Sequence, residues 1–170
     1  MFEPIFIFVL IAIVEVVFLA TWNPTYFRIG IPIYSKQHSF NGTAPNPINE
    51  EILNEAFKKA ITPSLVFKQI NNGEYAFREK LLQFTLFTYT PIMRGRLEID
   101  ESSRVIRVIG CINWWIVAFI ITGFIFFSDN LSFLPFMFLV LGVIYLFQKN
   151  KYDNVGQFAF EWNSRNWSKP

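Results

Sequence analysis

Three long apolar runs dominate the pattern of hydrophobic and polar positions along this chain. The first covers residues 4–20 and is interrupted only by Glu15; the other two lie within residues 108–147, where Asp129 is the only charged residue. At 1.5 Å per residue, about 20 residues are needed to cross a hydrocarbon core of about 30 Å. The pattern therefore predicts three transmembrane α-helices: one near the N-terminus, and a hairpin that turns at residues 128–130.

The polar segment between these runs carries the patterns of strands and of one helix. Residues 25–34 alternate apolar and polar positions, which indicates a strand. Asn46 and Pro47 are typical of a helix start, and an apolar stripe continues to residue 60. Further strands are predicted at residues 65–70, 74–79, 83–89, 94–100 and 104–110, the first two joined by an Asn-Gly turn. The fold class is thus a membrane protein with three transmembrane helices and an inserted α+β domain of about five or six strands and one helix.

Four domains follow from this reading. Residues 1–22 form the first transmembrane helix, residues 23–110 the α+β domain, and residues 111–148 the transmembrane hairpin. Residues 149–170 form a tail that ends in alternating aromatic positions: Phe158, Phe160 and Trp162. Because such alternation is typical of a strand, the tail is predicted to add a strand to the domain.

The charges predict an orientation for these helices. All fifteen Lys and Arg residues lie in residues 23–110 or in the tail, and the positive-inside rule places such segments in the cytoplasm. We therefore expect a multi-pass protein of a bacterial inner membrane, with its N-terminus outside and its domain and C-terminus inside. Tryptophans near the helix ends are the expected interface anchors: Trp22, Trp114 and Trp115.

Composition and motifs exclude several kinds of function without identifying one. The chain is 52% hydrophobic and only 16% charged, and its net charge of +2 is too small to indicate a nucleic-acid partner. The single cysteine, Cys111, excludes an internal disulfide and reads as a small buried hydrophobe, and the single histidine, His38, reads as a surface residue. Phosphate loops, nucleophile motifs and metal-spaced ligand sets are missing from the sequence. We therefore expect no cofactor, no metal and a non-enzymatic role.

Glu15 is the candidate functional residue of the first apolar run, because an acid within hydrocarbon is costly and usually functional. One hypothesis is that it titrates or pairs with a cation on another subunit. The other is that it is a neutral acid, hydrogen-bonded to Thr122, Tyr145 or a carbonyl. The other two apolar runs contain no Lys, Arg or His, so the sequence predicts no ion pair within the chain.

Arginines next to the second apolar run form the other candidate site, as contacts for anionic lipid or a partner: Arg94, Arg96, Arg104 and Arg107. If Leu97 pairs with Ile106 in the predicted hairpin, Arg96 and Arg107 lie opposite each other. Two such cations repel unless an anion bridges them. The alternative is that these are ordinary solvated arginines.

These observations favour a non-enzymatic integral membrane accessory or assembly subunit, part of a protein complex. Its expected partners are membrane lipid and a partner membrane protein or a second copy of itself, and not nucleic acid. The alternative function is a small component of a transporter or membrane enzyme, in which Glu15 serves as an intramembrane proton or ion site in an oligomer.

Overall fold

The fold contains five helices and five strands in the described residues. The computed structural model of the chain describes residues 3–40, 48–58, 64–80, 91–126 and 133–165. The helices are α1 (Glu3–Ala20), α2 (Pro24–Arg28), α3 (Glu50–Ala56), α4 (Trp114–Phe126) and α5 (Phe133–Arg165). The strands are β1 (Pro32–Ser39), β2 (Leu65–Asn71), β3 (Glu74–Glu79), β4 (Met93–Asp100) and β5 (Val105–Ile112).

The strands form one antiparallel sheet in the order β1-β5-β4-β3-β2. Two hairpins that the sequence predicts are present, β2–β3 and β4–β5. The first turns at Gly73, whose φ of +69° is a left-handed conformation that glycine adopts without strain. Strand β1 pairs with β5, so the first and last strands of the chain are neighbours and β1 forms one edge of the sheet.

Helices cover parts of both faces of this sheet. On one face α3 packs on β2, and α5 packs on β1, β4 and β5. The core on that side is rich in buried aromatic and aliphatic side chains, among them Phe67, Phe77, Leu97, Val108 and Tyr152. On the other face a smaller cluster joins the end of α1 and α2 to the sheet: Leu19, Tyr26, Phe27 and Ala76. Helix α4 packs on α1.

The predicted membrane crossings are wrong. In the described part of the chain, no helix combines the length and the apolarity that a crossing requires. Within the described residues, helix α4 has 13 residues, about 20 Å at 1.5 Å per residue, against a hydrocarbon core of about 30 Å. Helix α5 has 33 residues, but its apolar half gives way to charge from Lys149 onwards. The predictions of a multi-pass membrane protein and of an N-out orientation depended on these crossings and are wrong with them.

Two segments that were predicted as strands contain helix instead. Of the strand predicted at residues 25–34, residues 25–28 belong to α2 and only residues 32–34 belong to β1, which continues to Ser39. Residues 24–28 form α2, because Asn23 caps its first turn and Pro24 suits its first position; the Tyr26 N–H donates to Asn23 Oδ1 at 3.1 Å. The tail through Arg165 continues α5 instead of returning to the sheet. Tyr152, Val155 and Ala159 form a helical stripe that packs on the sheet, and this period outweighs the aromatic alternation.

The predicted helix that starts at Asn46 is present only in a shorter form. Helix α3 begins after Asn49, whose Oδ1 accepts a hydrogen bond from the Ile52 N–H at 2.9 Å. Residue 46, the strand predicted at residues 83–89 and the turn at residues 128–130 lie outside the described residues.

We predict that Gly95→Ala destabilises the fold. A Cβ at this β4 position would lie 2.1 Å from the ring of Phe77, which is fully buried and held between Phe67 and Tyr152. Such overpacking costs about 1–3 kcal/mol of unfolding free energy, measurable by chemical denaturation. The matched control is Gly142→Ala in α5, where nothing lies within 4 Å of the new methyl group. We expect this variant to be neutral or to gain up to about 1 kcal/mol from helix propensity. Equal losses in both variants would contradict the packing argument.

We predict acid sensitivity at His38. Its side chain is half-buried against Phe160, with ring centroids 5.7 Å apart, and burial followed by the positive charge of Lys36 lowers its pKa below the usual value. The nearby carboxylate of Asp153 opposes this shift without cancelling it. The unfolded chain therefore binds the proton more readily, so stability present above about pH 6.5 declines as the pH falls.

Thermal unfolding at pH 7.5 and pH 5.5 measures this effect. Between pH 7.5 and pH 5.5, the melting temperature of the wild type is expected to fall by more than that of His38→Gln, because the glutamine side chain does not titrate. The same loss in both proteins would exclude His38 as the cause.

Candidate functional site

The carboxylate of Glu15 lies at the N-terminus of α4. The first backbone N–H groups of any helix lack partners within the helix. Here the Trp114 N–H donates to Oε1 of Glu15 at 2.9 Å, and the Trp115 N–H donates to Oε2 at 2.5 Å. Asn113, the residue before the helix, donates its side-chain amide to the Pro91 carbonyl at 3.0 Å. A negative side chain of α1 thus caps the positive end of α4.

The guanidinium of Arg94 on β4 lies beside this carboxylate. Arg94 is 1% exposed, and its Nη1 lies 4.0 Å from Glu15 Oε1. The guanidinium also donates to three backbone carbonyls, those of Tyr26, Ile29 and Ile112, at 3.0, 2.6 and 2.7 Å. This buried cation therefore ties β4 to the segment after α1 and to the end of β5.

Tyr26 on α2 completes the group. Its hydroxyl donates to Glu15 Oε1, and its ring lies under the Arg94 guanidinium, 3.8 Å from the guanidinium carbon to the ring centre. Burial, and then the hydrogen bond to Glu15, raise the pKa of Tyr26 far above its usual value. The phenol therefore stays protonated and remains a donor. We call Glu15, Tyr26 and Arg94 the buried junction.

The buried junction corrects one prediction directly. The sequence indicated no ion pair for Glu15 within the chain, but Arg94 comes from β4, outside the apolar runs where cations were sought. The hydroxyl of Tyr145, a predicted partner of Glu15, donates instead to the Ile33 carbonyl at 3.3 Å. Both carboxylate oxygens accept hydrogen bonds from this chain, so the geometry suits joining elements better than accepting a substrate.

A groove between α1 and α4 leads to the junction. It encloses about 580 Å³ and is lined by apolar side chains together with Glu15 and Tyr26; the apolar set includes Leu10, Val14, Phe18, Val117 and Ile121. The volume is in the range of small-molecule pockets, but its polar groups are already hydrogen-bonded to each other.

The other candidate arginines form ion pairs on the sheet. Leu97 pairs with Val108, two residues from the predicted register, so Glu98 lies opposite Arg107. Glu98 bridges the two cations that were expected to repel, with contacts of 2.8 Å to Arg96 and 3.5 Å to Arg107. Arg96 also lies 3.6 Å from Glu74, which binds Arg28 at 2.6 Å.

Only part of the arginine set is available to an anionic ligand. Arg94 is buried in the junction, whereas Arg104 and Arg107 are exposed. Arg104 ends the β4–β5 turn with a left-handed φ of 55°. The structure therefore does not bring the four arginines together as one site.

The predicted anchor tryptophans have different surroundings. Trp22 stacks on Phe27 with ring centres 5.6 Å apart, and the Arg78 guanidinium lies 4.5 Å from its ring centre. Trp114 is 39% exposed beside the groove, and Trp115 is half-buried near Phe119. The backbone amides of both α4 tryptophans serve the junction, a role that sequence reasoning missed.

The single cysteine and the single histidine lie outside the buried junction. Cys111 is buried, as predicted, and burial raises the pKa of its thiol. His38, predicted at the surface, is half-buried; its Nε2 has no hydrogen-bond partner among the described residues. In the same part of the chain, no three His, Cys, Asp or Glu side chains are placed to hold a metal ion.

A large apolar surface is left uncovered on three helices. Of the 22 large apolar side chains that are exposed in the described residues, 20 belong to α1, α4 and α5. Charged side chains lie instead on the sheet and on the second half of α5. We call these 20 residues of α1, α4 and α5 the apolar helical surface. Its size is far beyond the scattered single residues of an ordinary protein surface.

Comparison with known proteins adds no further constraint. The chain matches no protein-family model, no curated protein and no solved structure. Its function is therefore inferred from the buried junction, the sheet and the apolar helical surface.

We predict that Glu15→Leu strongly destabilises the fold. The change leaves Arg94 as an uncompensated buried charge and removes the cap of α4. Breaking a buried pair in this way costs about 3–5 kcal/mol of unfolding free energy, measured by denaturant titration. Glu55→Gln, an exposed acid on α3, is the control and should change stability by less than about 0.5 kcal/mol.

A double-mutant cycle tests the pairing itself. Arg94→Leu combined with Glu15→Leu should cost less than the sum of the two single changes, because the double variant leaves neither charge unpaired. Strict additivity would show that the two side chains act independently.

Proposed function

We propose that this protein is a non-enzymatic accessory or assembly subunit whose apolar helical surface binds lipid chains. The observation that carries the proposal is the uncovered apolar area on α1, α4 and α5, which includes Phe6 at 69% exposure and Leu139 at 64%. Exposed apolar side chains in this number, concentrated on three helices, indicate an interaction site. The contact proposed is with the surface of these helices and does not require a crossing.

The width of the exposed arc favours lipid over a single partner helix. Exposed apolar side chains of α1 occur at Phe6, Ile7, Val9, Leu10, Ile13, Val14, Val16, Val17 and Phe18. At 3.6 residues per turn they cover about 200° of the helix circumference. The apolar stripe of a helix that packs on a neighbouring protein element is typically narrower, a little over 100°. Hydrocarbon chains surround a helix without needing a matching shape.

The buried junction explains how this surface is presented. Glu15 fixes α1 against the start of α4, and Arg94 fixes both to the sheet. The apolar side chains are thereby held outward before any ligand arrives. Preorganisation of this kind reduces the entropy that binding must overcome.

The alternative function, with Glu15 as a proton or ion site, has less support. Its oxygens accept from Tyr26, Trp114 and Trp115, and the residue is 3% exposed. A proton acceptor that works in transport needs a path to its partner, and here the partners are fixed donors of the same chain.

Vesicle flotation tests the proposal. The full-length chain, purified in mild detergent, is mixed with phosphatidylcholine vesicles and the detergent is removed. We expect the protein to float with the vesicles. Ile13→Glu or Leu139→Glu, each placing a charge on the apolar helical surface, should lower the ratio of bound to free protein at least about tenfold, because a charge in hydrocarbon is costly.

The matched control is Asn150→Glu, the same added charge on the exposed polar half of α5. It should float like the wild type. Vesicles containing phosphatidylserine separate a contribution from the exposed arginines, which would appear as extra binding that salt removes.

Two outcomes would overturn the proposal. Wild-type protein that remains at the bottom of the gradient would exclude lipid binding. A particle of constant mass equal to two chains, with no vesicle binding, would assign the apolar helical surface to a second copy instead.

A further inference from the structure

The two edge strands of the sheet, β2 and β1, differ in whether their outward backbone groups have hydrogen-bond partners. Side chains of α3 occupy the outer edge of β2. Asn54 accepts from the Phe67 N–H at 2.8 Å and donates to the Phe67 carbonyl at 3.2 Å, and Glu50 accepts from the Gln69 N–H at 3.0 Å. These bonds replace those of a neighbouring strand, so the β2 edge is closed to further pairing.

The β1 edge has no equivalent cover in the described residues. The Phe40 N–H donates to the Arg104 carbonyl at 3.0 Å, and in an antiparallel pair every second residue bonds inward. The residues between them direct their N–H and C=O groups away from β5: Ser35, Gln37 and Ser39. All three are exposed, and none has a backbone or side-chain partner in the described part of the chain.

A groove of about 470 Å³ runs beside this edge, between β1 and α5. Its lining includes Tyr34 and Lys36 from β1 and Tyr145, Lys149 and Asp153 from α5. Lys36 binds Asp153 at 2.5 Å, so these two charges compensate each other. Lys149 lies within 4 Å of no described carboxylate, but its charge also acts on Asp153. Two lysines thus share one carboxylate, and these three side chains leave the groove with a net charge of +1.

We propose that the β1 edge binds an extended peptide segment of a partner protein, with an acidic side chain directed at Lys149. The segment would lie along Ser35–Ser39 as a sixth strand, held by main-chain hydrogen bonds, while α5 forms the side wall of its groove. Added strands of this kind obtain affinity from the backbone and specificity from alternate side chains. This surface is separate from the apolar helical surface and does not depend on lipid binding.

A second copy of the same strand fits the edge poorly. Residues 32–39 contain no acid, and pairing two β1 strands would bring the lysines of both copies together. Like charges across a strand pair are destabilising. The chemistry of the groove therefore favours a partner that supplies a carboxylate.

Fluorescence anisotropy of a labelled seven-residue peptide tests this proposal on the full-length chain in mild detergent. The probe alternates threonine and valine and carries one central glutamate; the matched probe has lysine in its place. We expect saturable binding of the glutamate peptide and binding at least about tenfold weaker for the lysine peptide.

Two pairs of variants separate backbone from charge. Gln37→Pro removes an outward N–H without touching the bonds to β5 and should weaken binding about tenfold or more, whereas Gln37→Ala keeps the N–H and should bind like the wild type. Lys149→Glu should weaken binding of the glutamate peptide, and Lys68→Glu, on the closed edge, should not.

Circular dichroism and thermal unfolding show whether each variant is folded. If Gln37→Pro fails to fold, the comparison of Lys149→Glu with Lys68→Glu and the comparison of the glutamate and lysine peptides still test whether the β1 edge binds an acidic peptide. Absence of saturable binding by the wild type, or equal binding of both peptides, would overturn the proposal. Dimerisation that Gln37→Pro abolishes would replace the peptide by a second copy.

Discussion

The contact between the Glu15 carboxylate and the first turn of α4 is the constraint on which the arrangement of the helices depends. Burying a carboxylate is costly unless hydrogen bonds and an opposite charge compensate it. Here two backbone amides, the Tyr26 hydroxyl and the Arg94 guanidinium provide that compensation. Because these groups come from α4, α2 and β4, the acid can be buried only when all three elements are in place. One side chain thus couples α1 to the remainder of the fold.

The same contact separates two kinds of surface. Towards the sheet, α1 ends in a small core with Leu19, Tyr26 and Phe27. Beyond this core, Arg96 and Arg107 pair with acids of neighbouring strands. Away from the sheet, the three helices present almost only hydrocarbon. A protein with this division can contact lipid with one part and a polypeptide with the other, as we propose. The closed β2 edge and the open β1 edge direct the second contact to one side of the sheet.

Local signals predicted local structure well. The Asn-Gly step at residues 72–73 specifies a tight turn, and both predicted β-hairpins are present. Asn23 and Pro24 carry the same capping signal that was recognised at Asn46 and Pro47, but the apolar alternation after them concealed α2. In the tail, two sequence patterns predict different structures. Its aromatic residues alternate as in a strand, but Tyr152, Val155 and Ala159 recur at helical spacing and are buried in the core. The burial of this helical stripe outweighs the alternation.

The sequence by itself determined where the apolar segments lie, which hairpins form and that Cys111 is buried, because each depends on neighbours within a few residues. The pattern of apolar residues did not determine whether those segments cross a membrane, because a crossing also requires a sufficiently long helix and no described helix combines that length with the necessary apolarity. Only the tertiary structure decided the partner of Glu15, because Arg94 lies 79 positions along the chain and reaches it through the sheet. It also decided the register that places Glu98 between two arginines, and the difference between the two sheet edges. These features depend on contacts between distant residues, for which a single sequence carries no periodic signal.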